Sequence, residues 1–214
     1  MPWNTLRPFL AGSDAESESA IGRLKAFTVE LLKWNRGISN LVSHDDERRL
    51  VERHIAESLA GAAIVRELGC NELLDLGSGG GFPALPLALA GVGRRWTLVE
   101  SRRNKTLFLR KAVQELALAN VSVLTARLEA IVEEQVEGLQ CDGFTSRATM
   151  RAGPTLELAA RIVRPGGHAI LWKGSGLDDE LSRSRGSWER QWAHVATHRI
   201  ADGPNSIAVF SLTT

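Results

Sequence analysis

Asp75-Leu76-Gly77-Ser78-Gly79-Gly80-Gly81 follows the apolar pair Leu73-Leu74 and leads into Phe82-Pro83. An apolar run that ends in a glycine turn and passes into a helix with proline in its first turn reads as a β-loop-α unit. There the backbone comes close to a ligand and the helix N-terminus offers amide N–H groups to an anion. A dinucleotide fingerprint needs Gly-x-Gly-x-x-Gly, whereas Gly77, Gly79 and Gly81 alternate and Phe82 stands where the third glycine belongs. That register disfavours a pyrophosphate. S-adenosylmethionine asks for less: a close backbone at Gly77, Ser78 and Gly79, with its carboxylate as the anion, and an acid at the end of the next strand for the ribose hydroxyls. Glu100 closes the run from Trp96 and fills that place.

Working outward, short apolar runs alternate with helical stretches from Glu72 onward, the pattern of a doubly wound α/β fold with a mostly parallel sheet. Strands are expected at Leu73 to Leu76, Trp96 to Glu100, Val121 to Thr125, Gly143 to Ser146 and His168 to Lys173. Helices are expected at Pro83 to Ala90, Asn104 to Ala117, Leu128 to Val136 and Thr155 to Val163, with Arg164-Pro165-Gly166-Gly167 turning the last into a strand. The polar stretch Gly174 to Arg190 then separates the sheet from two final strands, Trp192 to Ile200 and Ser206 to Leu212, joined by Asp202-Gly203-Pro204-Asn205 and ending the sheet antiparallel. Ahead of the sheet, Ser13-Asp14-Ala15-Glu16 is a capping box for a helix carrying Ile21, Leu24, Phe27, Leu31 and Trp34. A second helix is expected from Ser43 to the stop at Gly69. Residues 1–70 therefore read as a helical cap and 71–214 as the main domain of one structural unit.

The chain has 214 residues, 43% hydrophobic, with 26 Lys+Arg against 25 Asp+Glu, so a nucleic-acid partner has to be gripped by a local basic patch. Arg94, Arg95, Arg102, Arg103, Lys105, Arg110 and Lys111 crowd into one such region, where a phosphate-contacting patch competes with a solvated helix face. Cys70 and Cys141 are the two cysteines, with no Cys/His cluster beside them, so neither a disulfide framework nor a metal site is expected. No signal-peptide pattern and no spanning apolar run appear, and the reading is a soluble, cytoplasmic chain.

The residues after the fourth strand narrow the chemistry. Methylation of an exocyclic amine calls for an Asp/Asn-Pro-Pro-aromatic element there, and Thr145-Ser146-Arg147-Ala148 stands instead. Methylation at pyrimidine C5 calls for a nucleophilic cysteine, and neither Cys70 nor Cys141 follows a proline. A ring nitrogen such as guanine N7 carries an exposed lone pair and no proton, so transfer needs placement and no general base. Arg147, at the carboxyl edge of the sheet, is the candidate for positioning cofactor or guanine O6.

The sequence resembles the bacterial small-subunit ribosomal RNA guanine-N7 methyltransferases, once called glucose-inhibited division protein B, over nearly its whole length. The carriers are Leu32-Lys33-Trp34-Asn35, Asn40-Leu41, Arg53-His54-Ile55 with Glu57-Ser58, the glycine loop through Phe82-Pro83, Glu100-Ser101, Phe108-Leu109-Arg110, Ser146-Arg147-Ala148, Pro165-Gly166-Gly167 and Lys173-Gly174. The resemblance implies methylation at N7 of a guanine in the 530 loop of 16S rRNA, with S-adenosylmethionine held at Gly77, Phe82, Leu128, Glu129 and Arg147. Glu100 also matches an acidic position of that family. The implied partner is 16S rRNA or the 30S subunit, with no DNA and no membrane, and a monomeric enzyme. Arg53, His54, Arg102, Arg103, Lys105 and Lys173 are the candidate RNA contacts, although a half-buried histidine such as His54 is commonly a packing residue. The chain departs from the family at Val42, at Asn104 and in residues 204–214, which lack a basic ending. A methyltransferase for a small molecule or protein, and an inactive cofactor-binding assembly factor, are the alternative functions.

Overall fold

The computed structural model describes residues 2–37, 40–133, 139–147, 150–201 and 203–213. Its sheet is built from β1 Glu72–Leu76, β2 Arg95–Glu100, β3 Val121–Thr125, β4 Cys141–Arg147, β5 Val163–Lys173, β6 Trp192–Arg199 and β7 Ser206–Leu212, in the order β3-β2-β1-β4-β5-β7-β6. The first five strands run parallel, and β7 pairs antiparallel with both β5 and β6. The expected doubly wound α/β fold and its antiparallel end are both present. With β2 on one side of β1 and β4 on the other, the winding reverses at β1, and a crevice opens outside the carboxyl ends of these strands.

The helices are α1 Asp14–Gly37, α2 His44–Arg48, α3 Glu57–Leu59, α4 Ala62–Glu67, α5 Ala84–Leu89, α6 Arg103–Glu115, α7 Leu128–Glu133, α8 Ala152–Ala159 and α9 Leu177–Arg183. The capping box forms as read: the Ser13 amide donates to Glu16 Oε2 at 2.7 Å and the Glu16 amide to Ser13 Oγ at 3.4 Å. One apolar core runs from Leu6, Phe27 and Leu31 through Leu50 and Ile55 to Phe82, Phe108 and Trp172, so the N-terminal helices are sealed onto one face of the sheet. Trp34 packs edge-on against Phe108 at 6.0 Å between ring centres. The other face buries Phe144, Leu156, Trp188, Trp192 and Phe210.

Several elements differ from their sequence reading. The expected helix from Ser43 to Gly69 is broken into α2, a π-helical stretch Leu50–Ala56, α3 and α4. At Gly61, between α3 and α4, only glycine fits, since a Cβ there would stand 2.3 Å from Trp172 Cζ2. The helix expected at Thr155 to Val163 is α8, which starts earlier and ends at Ala159, and Val163 already pairs with Cys141 in β5. Arg164-Pro165-Gly166-Gly167 is consequently not a helix-to-strand turn but a bulge within β5, across which the pairing jumps to Gly143 with His168. The polar stretch after Lys173 contains α9 and a 3-10 turn Trp188–Arg190, anchored by buried Leu177 and Trp188. A further 3-10 turn, Trp3–Phe9, buries Leu6. Residues 134–136 of the helix expected at Leu128 to Val136, Ala148, and Asp202 of the last turn lie outside the described residues. No helix among the described residues is long and apolar enough to cross a membrane.

Candidate functional site

A cavity of about 500 Å³ occupies the switch-point crevice. Its wall takes residues 76–80 and Phe82 from the end of β1 and its loop, residues 99–102 and Lys105 from the end of β2 onward, residues 126–129 after β3, Arg147 at the end of β4 with Met150, Leu41 from the bend before α2 and His54 from the π-helical stretch. The candidate residues Gly77, Ser78, Gly79, Phe82, Glu100, Leu128, Glu129 and Arg147, scattered over seventy positions of sequence, are thus brought to one wall by the ends of four parallel strands.

The glycine loop does not use its amides as expected. Gly77 and Ser78 donate to the Val99 carbonyl at 2.7 and 3.2 Å, and Gly81 and Phe82 donate to the Ser78 carbonyl at 2.6 and 3.1 Å. Gly79 donates to Glu100 Oε2 at 3.0 Å. The amides of residues 77, 78, 79, 81 and 82 are therefore spent inside the protein, which corrects the expectation that these amides of the loop are offered to an anion. What glycine supplies is conformation: Gly77, Gly79 and Gly81 have φ of 67°, 54° and 90°, and a Cβ on Gly81 would meet Leu85 Cδ1 at 2.5 Å. Positive charge in the wall comes from Arg102, Lys105 and Arg127 instead.

Glu100 is 6% exposed, and its carboxylate is fixed by two backbone donors, Gly79 to Oε2 and Arg102 to Oε1 at 2.8 Å. A carboxylate offers about four lone-pair sites, so acceptor capacity for hydroxyl groups remains after these two. Beneath the loop lies Asp75, fully buried, whose Oδ1 accepts from the Thr145 hydroxyl at 2.7 Å while Oδ2 has no hydrogen-bond partner among the described residues. Burial pushes its carboxyl up to about 7, with the nearby Glu100 charge adding to the rise against the hydrogen bonds that lower it.

Arg147 ends β4 in the cavity wall and reaches the N-terminal helices. Its Nη2 donates to Glu57 Oε2 at 2.7 Å and to the Arg53 carbonyl at 2.9 Å, and its Nη1 to the His54 carbonyl at 3.3 Å. His54 lines the same wall, stacked near Phe82 at 5.0 Å. Burial first, and the Arg147 charge second, pull its imidazole down to about 4, against the opposing pull of Asp46. It is therefore neutral at pH 7, with Nε2 3.6 Å from Asp46 Oδ2.

The basic candidates divide. Arg102 and Lys105 line the cavity; Arg103 is exposed at the first position of α6 and Arg53 is half-exposed with its Nε 3.1 Å from Asp46 Oδ1. Arg94 and Arg95 are at the opposite end of β2 from Glu100, about 17 Å away at the rise of a strand, so the run read as one basic patch is two. Lys173 is not brought to the cavity. Its ammonium, 8% exposed, donates to the Met150 carbonyl at 2.6 Å and to Glu180 Oε2 at 2.9 Å, and Glu180 also caps the Ala152 amide at 2.8 Å. Its charge is committed to tying the segment after β4 to α9, which corrects its reading as an RNA contact. Lys173→Ala is expected to lower stability by about 2 kcal/mol, the scale of a half-buried ion pair broken from one side, while leaving the salt dependence of RNA binding unchanged. Thermal melts and binding titrations at two salt concentrations check this, and a reduced salt slope would return Lys173 to the RNA surface.

Sequence reading did not single out Arg127, Met150 or Leu41 as wall residues, nor Asp75 as a buried acid. Arg127 had a signal, its place directly before Leu128-Glu129. Cys70 and Cys141 are buried, and burial pushes both thiols up to about 12, so neither is a thiolate nucleophile at neutral pH.

Comparison with known proteins agrees with this geometry. An O-methyltransferase of Bacillus cereus, solved in complex with SAH, superposes with a TM-score of 0.66 at 17% identity, over 88% of this chain and 91% of that one. The fibrillarin pre-rRNA processing protein of Methanococcus jannaschii gives 0.53 at 14% identity over 66% of each. In sequence, the ribosomal RNA small subunit methyltransferase G of Rhodospirillum centenum is 40% identical over 172 residues, 80% of this chain and 76% of that protein. That of Marinobacter nauticus is 33% identical over 193 residues, 90% and 86%. The profile of the GidB family, rRNA small subunit methyltransferase G, matches residues 20–205. With a sheet of methyltransferase order, a cavity at its switch point and relatives matched over most of their length, the chain belongs to the rRNA small subunit methyltransferase G family.

Proposed function

We propose that this chain methylates N7 of a guanine in the 530 loop of 16S rRNA, using S-adenosylmethionine, as a monomer in the cytoplasm. The observation that carries the reading is the junction in one cavity of a fixed strand-end carboxylate, Glu100, with Arg147, the neutral His54 and the glycine loop. The wall fits the cofactor: Glu100 has acceptor capacity for ribose hydroxyls, Leu128 and Ala126 give an apolar edge for a base, and Arg127 offers charge to a carboxylate. Residues 1–70 serve as a cap over the main domain, 71–214, supported by the shared apolar core.

When bound, S-adenosylmethionine supplies a methyl group on a sulfonium sulfur, which keeps the bonding electron pair on transfer. The N7 lone pair forms the new bond and no proton moves, so the chain has only to orient and enclose. Arg147 is the positioning group, a donor suited to guanine O6 beside N7. His54, neutral and stacked near Phe82, completes a wall that adds no further charge. Arg102 and Lys105 meet phosphate at the RNA side.

The test is methyl transfer from labelled cofactor to 30S subunits and to bare 16S rRNA from cells lacking the enzyme, followed by chemical cleavage at N7-methylguanine. A single cleavage in the 530 loop is expected. Label on RNA without that cleavage overturns the atom or site assigned, and label on metabolites or protein alone overturns the RNA substrate.

A further inference from the structure

We infer that Glu57 is a positioning residue for methyl transfer, holding the Arg147 guanidinium in the cavity wall and coupling the N-terminal helices to the catalytic edge of the sheet. The inference rests on the reading of Arg147 as the group that orients the guanine or the cofactor.

Arg147 and Glu57 are ninety positions apart in sequence, and their side chains are 13% and 17% exposed where they meet at 2.7 Å. A guanidinium is a rigid plane with five N–H donors. Three of these go to Glu57 Oε2 and the carbonyls of Arg53 and His54, all contributed by one stretch of the N-terminal helices, so the orientation of the plane is set from that side. Those carbonyls belong to the π-helical stretch Leu50–Ala56, a local irregularity of the kind that accompanies functional sites.

Glu57 is itself held. Its Oε1 accepts from Asn205 Nδ2 at 3.0 Å, and its backbone carbonyl accepts from Trp172 Nε1 at 2.7 Å. Asn205 precedes β7 and Trp172, the register partner of Arg147, lies in β5, so the sheet braces the carboxylate through Asn205 and the Glu57 backbone through Trp172. A braced carboxylate performs two tasks that a solvated acid cannot. It fixes the direction of the guanidinium donors, and it cancels their charge, so that Arg147 directs hydrogen bonds without adding net repulsion to a sulfonium cofactor. Asp46 pairs with Arg53 and His54 of the same stretch and does not reach Arg147 by hydrogen bond.

Single-turnover methylation of 30S subunits by Glu57→Gln, Asn205→Ala and Arg147→Ala, and by each of the first two combined with Arg147→Ala, tests this, alongside thermal melts and calorimetric cofactor affinity. Glu57→Gln is expected to slow transfer about tenfold and, by uncovering the Arg147 charge, to weaken cofactor Kd a few-fold; Asn205→Ala is expected to slow transfer about threefold with cofactor Kd within twofold, RNA KM staying within twofold and the fold intact in both. In the Arg147→Ala background neither substitution is expected to slow transfer further, because both act through that side chain. Equal slowing in the two backgrounds, or a wild-type rate in both Glu57→Gln and Asn205→Ala, overturns the inference while Arg147→Ala remains slow. A wild-type rate in Arg147→Ala itself overturns the reading of Arg147, and the inference with it. Should Glu57→Gln fail to fold, Asn205→Ala, which removes one hydrogen bond and no charge, decides the matter by the same comparison.

Discussion

Glu100→Ala is expected to weaken S-adenosylmethionine binding about 100-fold. A charged acceptor contributes about 1.5–3 kcal/mol for each hydrogen bond it makes, and two ribose hydroxyls lost together come to about 3 kcal/mol, or roughly two powers of ten in Kd. The residue also accepts the Gly79 and Arg102 amides, so its removal loosens the loop and adds to the loss. Glu100→Gln separates the two roles poorly by design of the site: one end of the amide carries N–H, which has to face one of those two backbone donors. The glutamine variant is therefore expected to bind nearly as weakly as the alanine variant. Calorimetry on both proteins checks this, with thermal melts to confirm folding. A Kd within threefold of wild type for folded Glu100→Ala would move the ribose site elsewhere in the cavity.

That acid is legible in the sequence, and so is most of the sheet, because both depend on local pattern. A short run such as Val121–Thr125, in which β-branched residues and leucine predominate, favours a strand over a helix at five residues, and its bounds coincide with the expected ones. Ile162 and Val163 mislead because an apolar pair at the end of a helical pattern is equally the start of a buried strand. The π-helical stretch is hidden because Leu50, Val51, Ile55 and Leu59 keep a helical spacing through it. The segment after Lys173 is hidden because three apolar anchors, Leu177, Leu181 and Trp188, are spread thinly through polar residues.

The site is legible as a set of residues and not as a set of contacts. Arg147 is marked by its place at a strand end, yet its pairing with Glu57 joins residues that no local pattern connects. Lys173 at the end of β5 looks like a surface charge in sequence. Only the fold shows Glu180 and the Met150 carbonyl enclosing it. The glycine loop is marked by its conformational signature, but the destination of its amides depends on how β2 packs beside it, with Val99 and Glu100 supplying the acceptors.

The same packing leaves Asp75 as a buried acid, and Asp75→Asn is expected to raise stability at pH 8 while flattening its dependence on pH. In the fold the carboxyl is held at about 7, against 3.8 as its ordinary value. The folded protein therefore binds this proton more tightly than the unfolded chain. The stabilisation it contributes is complete below about 3.8, is lost as pH rises, and is gone once pH passes about 7. The interval corresponds to about 4 kcal/mol as an upper bound. Asparagine is neutral throughout and keeps an oxygen for the Thr145 hydroxyl, but its N–H group enters a place where Oδ2 has no partner, which costs about 1–3 kcal/mol. A net gain of about 2 kcal/mol at pH 8 remains, or about 5 °C in Tm for a chain of this size. His54 works in the opposite sense: its buried imidazole, lowered to about 4, gives stability that is present above about 6.5 and lost as pH falls. Because His54 is common to both proteins, the difference between their melting profiles from pH 5 to pH 8 isolates Asp75. That difference is expected to widen with pH up to about 7 and then hold level. Parallel profiles across the range would mean that the carboxyl is ionised in the fold with a partner of its own. A widening difference would mean that the floor of the glycine loop carries an acid that opposes folding at neutral pH, the mark of a group kept for the cofactor site above it.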